Sequence, residues 1–484
     1  MPSLKKNFFY NICYQILILI VPIVTSPYIS RILGPEGLGT YSVTTAIAKY
    51  FTLFAMLGMM NYGNRNIAKC RGDKEQLSVT FCNMFYFQII VSSVVSLIFL
   101  AYAFLLGWGK YSIVILCQIP YVISTIFDVS WFYFGMENFK GVVARNAVVK
   151  ILSTAAIFCF VNDKNDTWIY VLITAIGFLA GQLCLWPYVW KNIQWKAPKW
   201  RLIISHFKPN CILMTGVIAV SIYTLMDKIM IELLAGRLDV GYYENTEKIF
   251  TIANNVAGAT GAVMLPRLSA LKASGENTKF LKYIEKSMKY IMIIAIAIAF
   301  GIAGVSNCFA VVYFGPGFEA CGELLFVIAL AVIFYAWSNI IRCQFLLPND
   351  MDGVYVTATV IAAIVNLILN CILIPWFGAL GAVIGTVGAQ FAEMLYQSIR
   401  VRKLLPIKKY VLGAVPFMLI GCVMLRCCKL LENIMGISIA TLLVQVATGA
   451  SLYIIASFLF LYFTKDDLIM KILKRFRPTP PGGK

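Results

Sequence analysis

Residues 78–106, SVTFCNMFYFQIIVSSVVSLIFLAYAFLL, run for 29 positions without one charged side chain. A helix of that length is about 43 Å long at 1.5 Å per residue, more than the hydrocarbon thickness of a bilayer. The run is continuously apolar and does not alternate with period two, so it reads as a transmembrane helix and not as a barrel strand. The rest of the chain repeats the pattern. Hydrophobic residues make up 60% of the 484 positions and charged residues 13%, with a mean hydropathy of +0.80. A soluble chain carries roughly a quarter charged residues, so a sizeable soluble catalytic domain is excluded.

Fourteen spans are expected, at 9–31, 41–63, 78–106, 111–134, 141–161, 167–189, 209–235, 243–265, 287–312, 321–345, 354–375, 380–399, 408–428 and 437–463. The first begins too close to the start to read as a cleavable signal. Connections are short except for two cytoplasmic stretches, 190–208 and 266–286. The tail from Arg477 to Lys484 is expected to be disordered. With alternating loops and a cytoplasmic N-terminus, 31 of the 41 basic residues fall inside or at the cytoplasmic ends of spans. Six fall outside (Arg31, Lys110, Lys164, Arg237, Arg426, Lys429) and four within spans (Lys49, Lys150, Lys228, Lys248). That bias follows the positive-inside rule and places both termini in the cytoplasm. The net charge of +19 is then an orientation and lipid-headgroup signal, with no nucleic-acid partner implied.

The 14 cysteines include no Cys-x-x-Cys pair, so neither a metal site nor a disulfide framework is expected. The single histidine, His206, reads as a solvated loop residue. No Walker A sequence occurs, so the chain does not hydrolyse ATP by itself. No cofactor and no catalytic residue is expected.

Shifting the sequence by 202 residues lays Leu33-Gly34 through Gly39-Thr40-Tyr41 onto Ala235-Gly236 through Gly241-Tyr242-Tyr243. Arg65 then meets Arg267 and Ala68 meets Ala270, with eight identities in the 36-residue window. Six helices separate the copies, and an even number gives both halves one orientation, related by an axis along the membrane normal. The expected fold class is therefore an all-α polytopic membrane protein of about 14 transmembrane helices with two pseudo-symmetric six-helix lobes. The lobes are 1–200 and 201–404, followed by helices 13 and 14 over 405–470 and a basic, disordered tail over 471–484.

Three stretches carry a family resemblance. One is Thr25-Ser26-Pro27-Tyr28-Ile29-Ser30-Arg31-Ile32-Leu33-Gly34-Pro35-Glu36-Gly37-Leu38-Gly39-Thr40-Tyr41. The second joins Asp227-Lys228-Ile229-Met230-Ile231, Val240-Gly241-Tyr242-Tyr243-Glu244-Asn245 and Met264-Leu265-Pro266-Arg267-Leu268-Ser269. The third comprises Phe314-Gly315-Pro316-Gly317-Phe318 and Phe377-Gly378-Ala379-Leu380-Gly381-Ala382. Together they resemble the Wzx-type lipid-linked oligosaccharide flippases of capsule and O-antigen assembly, in the polysaccharide transporter branch of the MOP superfamily. The resemblance implies a central cavity lined by helices 1, 2, 7 and 8. It also implies transfer of an undecaprenyl-diphosphate-linked repeat unit to the outer leaflet of the bacterial inner membrane. Coupling to H+ or Na+ and contact with the polysaccharide polymerase machinery are implied as well.

Neither a diphosphate nor a sugar crosses hydrocarbon unaided, so charges within spans are the candidate site residues. Lys49 lies about eight residues, roughly 12 Å, from the outer end of helix 2, a long reach for snorkelling. It is a candidate diphosphate contact. Lys228 has Glu232 four residues on, and Lys248 has Glu244 four residues before; each reads either as a helical ion pair or as a cavity cation. Asp227 has no such partner along its helix and is a candidate for ion coupling or for structural pairing. Asp128 and Lys150 fall at one depth in the hairpin of helices 4 and 5, which suggests a buried pair or a titrating Asp128. Glu393 is a further candidate coupling carboxylate. Pro22 and Pro27 are expected to kink or loosen helix 1, and Gly378, Gly381 and Gly385 suit tight packing.

Two rival readings remain. One is a multidrug or metabolite exporter of the same superfamily, against which the basic spans count, since cationic drugs favour an acidic cavity. The other is a membrane-embedded polysaccharide polymerase, which needs an extended outer loop; here no outside loop exceeds about ten residues.

Overall fold

A computed structural model describes residues 4–106, 112–466 and 469–470; Lys110 and the tail 471–484 lie outside them. Among the described residues there is no strand. Helices α1 (Leu4–Met56), α2 (Met59–Cys70), α3 (Lys74–Leu106), α4 (Ser112–Leu116), α5 (Ile119–Ile123), α6 (Ser130–Gly135), α7 (Phe139–Phe160), α8 (Thr167–Leu183) and α9 (Trp186–Asn192) are followed by α10 (Trp200–Ser205) and α11 (Phe207–Leu234). Then come α12 (Arg237–Ala273), α13 (Asn277–Phe309), α14 (Cys321–Ile340), α15 (Asp352–Phe377), α16 (Ala379–Val401), α17 (Ile407–Met435) and α18 (Ile439–Phe463). Eleven described segments are long and apolar enough to cross a membrane. The chain is an all-helical, multi-span membrane protein.

Three expected spans differ in detail. The first two helices are not separated by an irregular loop: α1 continues through both and kinks at Gly34 (φ 65°, ψ 179°). Only glycine takes that conformation without strain, and Pro35 opens the next rod where its missing N–H is harmless. Pro22 and Pro27 lie within helix ahead of that break. The span expected at 111–134 is broken into α4, α5, a 3-10 turn at Ser124–Phe127, and α6. In hydrocarbon the freed backbone carbonyls need partners within the protein, and Gln88 of α3 supplies them. Its Nε2 donates to the carbonyls of Thr125 (2.7 Å) and Asp128 (2.9 Å), while Trp131 Nε1 donates to its Oε1 (2.8 Å).

The chain divides into two compact units. The first is Met1–Asn245 with Asn366–Ala382. One of its cores is aromatic, with Phe81, Phe85, Trp131, Phe132, Tyr133 and Trp186 buried together. The second unit is Thr246–Val365 with Val383–Lys484. There α13, α14, α17 and α18 pack through small residues, and a Cβ on Gly304 or Gly449 would meet Cys428. Asp466, just past α18, accepts from Lys289 Nζ (2.5 Å) and Tyr290 OH (2.8 Å) of α13. An apolar cavity of about 410 Å³ opens among Ile298, Ile302, Val305, Met424 and Ile454 of this unit.

Within the first unit the two copies of the repeated turn touch each other reciprocally. A Cβ on Gly39 would lie 2.0 Å from the Arg237 carbonyl oxygen, and one on Gly241 2.0 Å from that of Pro35. The 202-residue shift turns Gly39 into Gly241 and Pro35 into Arg237, so the contact maps onto itself, as a local two-fold requires. Ser42 and Glu244, themselves equivalent, are joined directly: Ser42 Oγ donates to Glu244 Oε2 at 2.6 Å. Where the copies meet, the two turns are therefore related by a local two-fold.

Because the obstructing atoms are backbone, neither contact can relax by a rotamer change. Gly39→Ala and Gly241→Ala are each expected to lower stability by about 1–3 kcal/mol, the usual range for overpacking. Thermal unfolding in detergent checks this, and the double variant should cost less than the sum because both contacts share one interface.

Candidate functional site: a buried polar centre beside a basic cavity

Helices α11 and α12 meet α1 and α15 of the first unit through side chains rarely found inside a membrane. Lys228 Nζ donates to Glu244 Oε2 at 2.6 Å, the oxygen that also accepts from Ser42. Lys228 is 9% exposed and Glu244 7%, so each charge offsets part of the burial cost of the other. A partner of Lys228 is thus Glu244 of α12, sixteen residues on, which spacing along one helix does not reveal. Glu232 lies 4.0 Å from Arg237 Nε.

Asp227 is 2% exposed. It accepts from Tyr243 OH (2.6 Å) and from Asn370 Nδ2 (2.6 Å), and Asn370 also donates to Asn366 Oδ1 (3.2 Å). The Asn370 Oδ1 atom is buried without a hydrogen-bond donor. Asn245 Nδ2 donates to Ser30 Oγ at 2.9 Å. The buried amides Asn366 and Asn370 had no signal in the sequence except their spacing of four within an apolar span.

Lys49 lies beside this centre. It shares a small cavity of about 30 Å³ with Ser42, Thr45, Lys228 and Glu244, room for about one water. It also lines a larger cavity, about 220 Å³, together with Lys150 and the hydroxyl groups of Thr25, Tyr41, Tyr121, Thr154 and Tyr170. Lys150 therefore stands with Lys49 on a cavity wall. Asp128, for its part, accepts the Ser130 backbone N–H at 2.9 Å at the start of α6. A third cavity, about 320 Å³, adjoins the second through Lys150, Ser153, Thr174 and Phe178, and adds Pro22 and Arg145. Pro27 follows Pro22 by five residues on the same rod.

The remaining candidates lie in the second unit. Lys248 is half-buried on α12. Glu393 on α16 accepts from Gln397 Nε2 at 3.1 Å. Arg145 and Arg342, which a loop count assigns to the cytoplasmic side, fall within apolar spans. Arg342 lies in a π-helical segment, Ile341–Leu346, with its guanidinium 5.4 Å from the Tyr355 ring centroid. Gly378 adopts φ +54°, and the N–H of the next residue, Ala379, donates to Asp239 Oδ1 at 2.8 Å. A Cβ on Gly381 would lie 2.5 Å from the Leu373 backbone, the tight packing its spacing suggested. His206 is not a solvated loop residue. It shares a 2.8 Å hydrogen bond with Tyr62 OH, and burial holds its pKa below the ordinary value. Among the described residues no group of three or more metal-ligating side chains occurs.

Comparison with known proteins follows the same lines. Residues 4–272 match the family described as "Polysaccharide biosynthesis protein". A protein of Escherichia coli (strain K12) named "Putative O-antigen transporter" is 22% identical over 412 residues, 83% of this chain and 98% of its own length. A Haloferax volcanii protein named "Probable low-salt glycan biosynthesis flippase Agl15" is 29% identical over 164 residues, 34% of each chain. The solved structure "Lipid II flippase MurJ, inward closed conformation" shares the fold, with a TM-score of 0.71 at 16% identity over 95% of this chain and 99% of its own.

Removing one member of the buried pair strands the other. Glu244→Gln is expected to cost about 3–5 kcal/mol, the usual penalty for an uncompensated buried charge. The double change Lys228→Met with Glu244→Gln should recover most of it. A double-mutant cycle on thermal stability measures both.

Proposed function

We propose that this chain, which belongs to the polysaccharide biosynthesis protein family, flips undecaprenyl-diphosphate-linked oligosaccharides across the bacterial inner membrane. The movement runs from cytoplasmic to outer leaflet by alternating access, with no bond made or broken. One observation carries the reading: Lys49 and Lys150 line a hydroxyl-rich cavity inside a membrane-spanning unit. A diphosphate in hydrocarbon needs compensating cations, and lysines on the wall of a polar cavity can supply them. In this reading Lys49 contacts the diphosphate, with Lys228 and Lys248 as further cavity cations. The apolar cavity of the second unit offers room for part of an isoprenoid chain.

Asp227 is assigned to ion coupling. Its carboxylate accepts from Asn370 Nδ2, which also donates to Asn366 Oδ1, and this buried, oxygen-rich group of carboxylate and amides suits a hard monovalent cation or a proton. Asp128 and Glu393 are secondary coupling carboxylates, and Pro22 and Pro27 are bending points of the first rod. The outer-leaflet product is what a polymerase of the envelope consumes, so contact with that machinery is part of the proposal. The exporter reading fits less well, because a basic cavity repels cationic drugs.

Proteoliposomes loaded with a short-chain fluorescent polyprenyl-diphosphate oligosaccharide test this. The wild type should translocate it, Lys49→Ala should lower the rate more than tenfold, and Asp227→Asn should remove dependence on an imposed Na+ or H+ gradient. If the wild type moves no lipid-linked sugar but exports small organic cations, the exporter reading replaces this one. Full flipping by Lys49→Ala would keep the function and remove Lys49 from the site.

A further inference from the structure

The strap that leads from α9 to α11 belongs neither to the polar centre nor to the cavities. Residues 186–208, WPYVWKNIQWKAPKWRLIISHFK, hold five basic residues, no acidic one and four of the chain's nine tryptophans. Three times a tryptophan is followed by a cation, at Trp190-Lys191, Trp195-Lys196 and Trp200-Arg201. The strap is not a loose loop. Between α9 and α10 its backbone is fastened to the first turns of α3 at three points. Gln194 N–H donates to Ser78 Oγ (3.0 Å), Lys196 N–H to Cys82 Sγ (3.4 Å) and Lys199 N–H to Asn83 Oδ1 (2.9 Å). Trp195 lies parallel to Trp186 at 6.3 Å, and Lys196 Nζ is paired with Glu75 at 3.1 Å. Ile193 and Ile203 turn inward to the aromatic core. What the strap leaves exposed is Trp190 (62%), Trp200 (64%) and Ile204 (54%), together with Lys191, Lys199 and Arg201.

We propose that this strap is a binding surface for anionic phospholipid headgroups of the leaflet it adjoins. It follows directly on the apolar segment that ends at Asn192, and it is fastened near the start of the one that begins at Lys74. Ser78 and Asn83 lie about one and two and a half turns into that helix. The strap is therefore held where a span meets the headgroup layer. Tryptophan is favoured there because its ring is apolar and its N–H is polar. Exposed indoles and an isoleucine, rimmed by cations, mark a membrane contact where they would be unfavourable in bulk water. Lys191, Lys199 and Arg201 then meet lipid phosphates, and an anionic leaflet attracts them further. Helix orientation needs the charge alone, and lysines on a loose loop satisfy it equally well. Interleaved tryptophans and a backbone fixed at three points add a set depth and spacing, which a headgroup site uses and an orientation signal does not. An acidic protein partner would use the cations but leave the exposed indoles without a purpose. The inference does not depend on the identity of the cargo.

Brominated lipids test this, since bromine quenches tryptophan on contact. The full chain is reconstituted in vesicles of phosphatidylcholine and phosphatidylglycerol in equal amounts, with bromine on the acyl chains of one lipid or the other. The contribution of the strap is the difference in quenching between the wild type and the double variant Trp190→Phe, Trp200→Phe. In the wild type that contribution should show a preference for phosphatidylglycerol of about fivefold, what one well-placed cation provides at an anionic surface. The triple variant Lys191→Gln, Lys199→Gln, Arg201→Gln should abolish the preference. Arg201→Gln alone should lower it by about half and carries the test if the triple variant folds poorly, as its thermal midpoint reports. Lys272→Gln, Lys279→Gln, Lys282→Gln removes the same charge from the other basic stretch and should leave the preference unchanged. Absence of a preference in the wild type overturns the proposal. Equal loss in both triple variants also overturns it, in favour of a diffuse effect of net charge. Quenching by neither lipid places the indoles in water and overturns it too. Polyglutamate binding that the strap variant loses would then assign the surface to an acidic protein.

Discussion

In hydrocarbon a polar group must find its partner inside the protein, because no water is present to supply one. Almost every distinctive feature of this chain is an answer to that constraint. The helix broken near Ser124–Phe127 is tolerated because Gln88 accepts the role that water plays in a soluble protein. Lys228 and Glu244 are buried because each neutralises the other. Asp227 is held by a phenol and an amide. Lys49, Lys150 and Arg145 face the same constraint in the walls of the first unit's cavities.

The duplicated turn places this polar centre. Gly39 against Arg237 and Gly241 against Pro35 bring backbone into contact with backbone, which only residues without a Cβ permit. Ser42 and Glu244 follow three residues after these glycines and so are carried into hydrogen-bonding distance. One copy of the duplicated position keeps a small hydroxyl and the other has a carboxylate. That asymmetry on a symmetric frame gives Lys228 its partner. It also shows why a duplicated scaffold can carry a site that is not itself duplicated: the backbone contact needs glycine in both copies, while the side chains three residues later are under no such requirement.

A flippase and a drug exporter can share the fold, so the discrimination between them rests on chemistry within the spans. The cavities described here carry basic and hydroxyl groups where an exporter of organic cations needs acids or aromatic cages. The likeness to a solved lipid flippase of 16% identity speaks to the helical frame alone. The family match over residues 4–272 speaks to polysaccharide biosynthesis.

The sequence by itself determined the class of solvent, the helical architecture and the existence of the repeat. These depend on properties that are local or periodic: apolar runs long enough to cross a bilayer, and glycines spaced 202 residues apart. It also identified which charges are out of place in a membrane, since Lys49, Asp227 and Lys228 fall within apolar spans. What it could not give was their partners. The expected pairs were the i,i+4 neighbours, Lys228 with Glu232 and Lys248 with Glu244, because along one helix only spacing is visible. The pair of Lys228 was decided by where α12 lies against α11, and the Asn366–Asn370 contact to Asp227 by α15, more than 130 residues away. Partnership in three dimensions depends on the relative position of rods that the sequence orders but does not arrange, and that arrangement is a property of the tertiary structure alone.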